Sequence, residues 1–154
     1  MSTFSPTAGH ATGVTVRGAV TAGLAGAVVF GLAMAAGEVF DLNAGSDDTG
    51  FAWSELWFYV ISPLVAVVLA AWLGRRALDG MPQRLARTAV GLAVAAAVTV
   101  VVFWTGWPLV FGAVAVLLGL EHRRRLGSFA PPAVVAVALG SVALLVSAYF
   151  CVTG

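Results

Sequence analysis

Residues 88–120 read TAVGLAVAAAVTVVVFWTGWPLVFGAVAVLLGL, a run without one charged side chain. A helix crossing a bilayer uses about 20 apolar residues to cover roughly 30 Å of hydrocarbon. This run is too long for one crossing and short for two. Its middle, Trp104-Thr105-Gly106-Trp107-Pro108, holds a glycine that breaks a helix, a threonine that can cap the next one and a proline tolerated in a first turn. The spacing predicts a tight helical hairpin with arms at 88–104 and 107–121. The apolar part of the second arm is about 14 residues, roughly 21 Å at the α-helical rise. That arm must therefore sit short in the bilayer, thin it, or extend past Leu120.

Outward from the hairpin, three more uncharged stretches each fit one crossing, at 18–37, 56–74 and 130–152. The expected fold is all-α: a polytopic membrane bundle of five helices, occupying 17–154 behind a flexible cytoplasmic tail at 1–16. Composition agrees. The chain has 154 residues, 60% hydrophobic and 10% charged, with a mean hydropathy of +0.99. Soluble domains carry about 25% charged residues, so the soluble and disordered classes are excluded. A net charge of +1 excludes nucleic-acid binding by bulk charge. The single cysteine, Cys151, excludes an internal disulfide and a CxxC site.

The arginines test the helix count independently. Arg17 precedes the first span, Arg75, Arg76, Arg84 and Arg87 follow the second, and Arg123, Arg124 and Arg125 follow the fourth. Five crossings put all of them on one face, which the positive-inside rule makes cytoplasmic. The C-terminus and the loop carrying Asp41, Asp47 and Asp48 then lie outside. Trp53, Trp57, Trp104, Trp107 and Tyr149 fall at the outer interface, and Trp72 and Phe129 at the inner one. Reading residues 88–120 as one long helix would instead strand Arg123–Arg125 on the opposite face from the rest. The expected location is a cell membrane, read as a bacterial cytoplasmic membrane. Ala33-Met34-Ala35 also fits an A-x-A cleavage site, and cutting there would leave four spans in the same orientation.

Small residues supply the clearest local pattern. Ala19, Gly23, Ala27, Gly31 and Ala35 form a strict i+4 row, beside a second row of Gly18, Ala22 and Gly26. Shorter rows are Ala89, Ala93 and Ala97, and Ala136 with Gly140. Such rows let helix backbones approach closely, and in lipid that close packing drives association. They serve either contacts inside the bundle, the favoured reading, or self-association and docking of another membrane protein. Replacing Gly23 and Gly31 with Leu is the expected way to break an assembly built on this face.

Candidate chemistry is sparse. No ionisable side chain falls within the expected membrane depth, where proton relays and coupled carriers place them. The hydroxyls at depth, such as Ser62 and Thr99, are expected to bond their own helix. Glu38 and Asp41, three residues apart at the outer end of span one, could hold a cation or line a pore mouth; a solvated helix end is the plainer reading. The loop beginning at Asp41 departs from a calcium loop, having Ser46 where glycine belongs and Ala52 where glutamate belongs. Pro63 is expected to kink span two. Arg75, Arg76, Arg84, Arg87, Arg123, Arg124 and Arg125 could attract anionic lipid headgroups, though setting topology explains them as well. Glu121 and His122 read as a surface pair. No cofactor or metal site and no catalytic set is expected. The expected function is an accessory, assembly or structural subunit acting through helix contacts, and not an enzyme. The alternative is a small oligomeric channel or carrier with an acidic outer mouth.

Overall fold

The computed structural model describes residues 16–40, 53–128 and 130–153. Among these the chain is all-helical, with α1 at Val16–Val39, α2 at Trp53–Leu78, α3 at Pro82–Thr99, α4 at Trp107–Leu126 and α5 at Pro131–Thr153. The expected helices are all present, but they run beyond their apolar stretches, as α2 and α3 show. α2 continues past Gly74 to Leu78, and α3 begins at Pro82 rather than Thr88. A charge ends an apolar run without ending a helix. Arg75 and Arg76 in the last turn of α2 complement its carbonyl end, and Pro82 pre-sets the first turn of α3.

The hairpin at the centre of the sequence closes in steps. α3 gives way to a 3-10 turn at Val100–Thr105, broken at Val102 with φ −113° and ψ 44°. Gly106 then takes φ 74°, the left-handed region that favours glycine. Space demands glycine there too, since a Cβ would lie 3.0 Å from the Phe30 ring and 3.1 Å from Pro63 Cβ. The Thr105 hydroxyl donates to the Val102 carbonyl at 2.8 Å and accepts a long 3.4 Å bond from the Trp107 N–H. Threonine thus steadies the turn, while Gly106 holds the capping position of α4. α2 runs through the buried Pro63 as one helix.

Four helices form a closed ring, in the order α1, α2, α3, α5, around α4. Across the ring, among the described residues, α1 does not touch α3 and α2 does not touch α5, because α4 stands between them. α4 accordingly buries residues on all sides, including Leu109, Val110, Val114 and Leu118. A helix that is apolar all round belongs in a core. Among the described residues, four helical stretches are long and apolar enough to cross a membrane: Arg17–Gly37, Tyr59–Leu78, Pro82–Thr105 and Pro131–Thr153. α4 is the exception, because its last turns carry Glu121 and three arginines. It extends past Leu120, one of the three outcomes its short apolar arm allowed.

Contacts fix which helix ends lie together. A Cβ on Gly74 would come within 3.1 Å of Ala19 Cβ, and Arg125 reaches the Leu78 carbonyl. At the opposite end Phe30, Pro63 and Gly106 meet, and Phe103 stacks on Phe150 at 5.6 Å between ring centroids. Successive helices therefore run in alternating directions. The arginines, from the start of α1, the end of α2, the start of α3 and the end of α4, share one end of the bundle.

Candidate functional site

The arginine-rich end holds a polar junction that the sequence does not advertise. α4 carries its buried face beyond Leu118 at helical spacing, and the next residues on that face are Glu121 and His122. They are 3% and 4% exposed, so the expected surface pair is in fact buried. The reason is the central position of α4, whose end is covered by its neighbours. Arg125 Nε donates to Glu121 Oε1 at 3.0 Å, one turn along the same helix. Both terminal nitrogens of Arg125 donate to the Leu78 carbonyl oxygen, at 3.2 Å each.

This arrangement does two things at once. The guanidinium neutralises a buried carboxylate, and it satisfies a carbonyl left without an intrahelical partner at the end of α2. α4 is thereby clamped to α2 by charge-assisted bonds. Arg124 Nη1 lies 4.0 Å from the other carboxylate oxygen, Oε2, which has no hydrogen bond among the described residues. His122 Nδ1 is likewise buried without a partner. Helical periodicity carried past the last apolar residue would have found both side chains; counting charge-free stretches stopped at Leu120.

The remaining arginines are spread around the same end. Arg76 lies over the Trp72 ring at 4.2 Å, and Arg75 approaches Asp79 at 4.0 Å across an exposed pair. Arg84 and Arg87 are exposed near the start of α3 and make no ion pair among the described residues. Arg123, Arg124 and Arg125 are all exposed, and Arg125 is also committed to the junction. Glu38 lies in the last turn of α1, but its side chain and the whole of Asp41 fall outside the described residues.

The small-residue rows divide between the inside and outside of the bundle. Ala19 and Gly23 are buried, Ala27 is half-buried, and Gly31 and Ala35 are exposed. A strict i+4 row drifts around a helix of 3.6 residues per turn. The buried positions of α1 instead run Ala19, Gly23, Gly26 and Phe30, with Gly37 further along. Gly26, of the second row, makes the close approach: a Cβ there would sit 2.6 Å from the Leu109 carbonyl oxygen. Gly112 and Gly140 bring α4 and α5 together in the same way, each facing the other's carbonyl oxygen. Ala89, Ala93 and Ala136 are buried, and Ala97 is half-buried.

Of the hydroxyls, Thr21 and Thr99 bond their own helix as expected. Ser62 does not: its oxygen accepts from the Trp107 indole N–H at 2.9 Å, tying α2 to the first turn of α4. Interhelical bonds of this kind in membranes average about 0.6 kcal/mol of coupling, with a maximum of about 1.7. Trp107→Phe should therefore lower stability by about 1 kcal/mol, and the loss should shrink in a Ser62→Ala background. Unfolding in mixed micelles measures both, and equal losses in the two backgrounds would show that the bond contributes nothing.

No protein family, curated protein or solved structure matches the chain. What defines it is its own architecture: an all-helical, predominantly apolar bundle of the membrane-protein class, with a part-buried charged clamp at one end.

Proposed function

We propose that this protein is a non-catalytic subunit of a bacterial cytoplasmic membrane, working through helix contacts with a second membrane protein. It crosses the bilayer five times, with its N-terminus in the cytoplasm and its C-terminus outside. Grouping of the arginines at one end of the bundle supports that orientation through the positive-inside rule. The observation that carries the functional reading is the filled axis. Leu109, Val110, Val114, Ala115 and Leu118 of α4 are fully buried where a passage through one copy would have to run. A bundle packed in this way offers surfaces rather than a conduit. The outer part of α1, with Gly31 open to its surroundings, is one such surface.

Extraction in mild detergent followed by mass spectrometry tests the reading. The expected result is a different membrane protein in stoichiometric amount, lost on Gly31→Leu while the bundle's own stability is not lowered. A homo-oligomer that conducts ions or solutes in liposomes would overturn it in favour of a channel or carrier with its path between copies.

A further inference from the structure

The ring around α4 has one weak seam. α2 and α3 are consecutive and joined by a short turn, yet they make the sparsest contact of any touching helix pair. Between them lies a cleft of about 470 Å³, walled by Leu69 and Leu73 on α2, by Gly91, Ala95 and Val98 on α3, and floored by Trp107 and Phe111 of α4. Its volume is in the range of roughly 300–1,000 Å³ typical of ligand clefts. A second hollow, of about 520 Å³, lies at the arginine-rich end among Asp79, Gly80, Arg84 and Arg87. Thr88 lines both. A polar cup and an apolar slot therefore adjoin at Thr88, along one face of α3.

We propose that this composite site binds an anionic phospholipid of the surrounding bilayer, with its headgroup on Arg84 and Arg87 and an acyl chain in the slot between α2 and α3. Charge complementarity identifies the occupant. The two guanidinium groups have no carboxylate partner among the described residues, and the acid at the rim, Asp79, faces Arg75 instead. Depth agrees as well. From Thr88 to Thr99 the slot follows α3 for about 16 Å at the α-helical rise, close to half of the roughly 30 Å hydrocarbon core. An occupant charged at the interface and apolar for the depth of one leaflet is a lipid.

The test is native mass spectrometry of the delipidated full chain, reconstituted in phosphatidylcholine with phosphatidylglycerol titrated in. One phosphatidylglycerol should be retained per chain. Arg84→Gln with Arg87→Gln should weaken retention about thirtyfold, the sum of two basic residues at about 1 kcal/mol each. The control pair Arg17→Gln with Arg123→Gln removes equal charge from the same end, outside the cleft, and should weaken it far less. Gly91→Phe, at a position with open space beside it, should displace the acyl chain and abolish retention with both arginines intact. Ala95→Phe fills the slot one turn deeper and replaces that variant should it fail to fold. Glycerol 3-phosphate in solution should not compete. Equal losses from both arginine pairs would overturn the proposal in favour of diffuse surface attraction. Retention by the cleft-filling variants, or displacement by glycerol 3-phosphate, would overturn it too. So would a dimer that Gly91→Phe converts to monomer with lipid retention unchanged, since the slot would then hold a second copy.

Discussion

Arg125→Ala should destabilise the protein by about 2 kcal/mol, toward the lower end of the roughly 1.5–3 kcal/mol that a hydrogen bond to a charged group contributes, because the Arg125 side chain is itself 30% exposed. The loss has two sources. Glu121, 3% exposed, would lose the guanidinium that meets it in a poorly hydrated place, and the Leu78 carbonyl would lose both of its donors. Arg124, at 4.0 Å from the carboxylate, softens the first effect, a second reason for the lower end. Arg125→Lys should recover part of the loss, because an ammonium can meet the carboxylate but lacks the planar fork that also reaches Leu78. The decisive comparison is a double-mutant cycle. In a Glu121→Gln background no buried charge remains to be orphaned, so Arg125→Ala should cost about half as much or less. Unfolding in mixed detergent micelles reads all of these variants, and an unchanged cost in the Glu121→Gln background would mean that the clamp does not hold α4 to α2.

Gly26→Ala should cost about 2–3 kcal/mol by overpacking, although it adds a single methyl group. That methyl would sit 2.6 Å from the Leu109 carbonyl oxygen and 2.9 Å from Val110 Cα. These are backbone atoms of the central helix and cannot rotate aside, so α1 must lift away from α4. Gly31→Ala supplies the contrast within the same helix. A Cβ there meets nothing within 4 Å, and replacing an exposed helical glycine with alanine gains up to about 1 kcal/mol. The two substitutions are chemically identical and should move the unfolding midpoint in opposite directions. Equal effects would show that α1 does not pack on α4 through Gly26. Gly23, in the more regular row, would place its Cβ at an ordinary 3.5 Å from Val67. Row regularity therefore does not rank these glycines; proximity to a backbone does.

Much of the architecture is legible in the sequence, for a reason rooted in the solvent. In a bilayer every backbone polar group must be satisfied within its own segment, so charge-free runs of sufficient length become helices. That made the five helices readable, together with the turn at Trp104–Pro108, where Gly106 takes its positive φ. Helix ends were read less well, as α2 and α3 show, because arginines near an interface extend a helix while ending its apolar run. The candidate pore-mouth residues Glu38 and Asp41 gain no geometry from the fold. The site the structure does build uses Glu121, His122 and Arg125, whose sequence context suggests only a charged helix end.

By itself, then, the sequence determined the helical class, the helices and the segregation of arginines to one end of an alternating bundle. Only the tertiary structure decided that α4 is the centre, that Gly26 rather than Gly31 meets a backbone, that Glu121 and His122 are buried, and that the ring is weakest between α2 and α3. The physical reason is the same in each case. In water a helix marks its inner face by being apolar on one side and polar on the other. In lipid both sides are apolar, so the inner face is chosen by shape, by the absence of a side chain at Gly26 and the reach of one at Arg125. Those are properties of pairs of helices, and no single helix carries them.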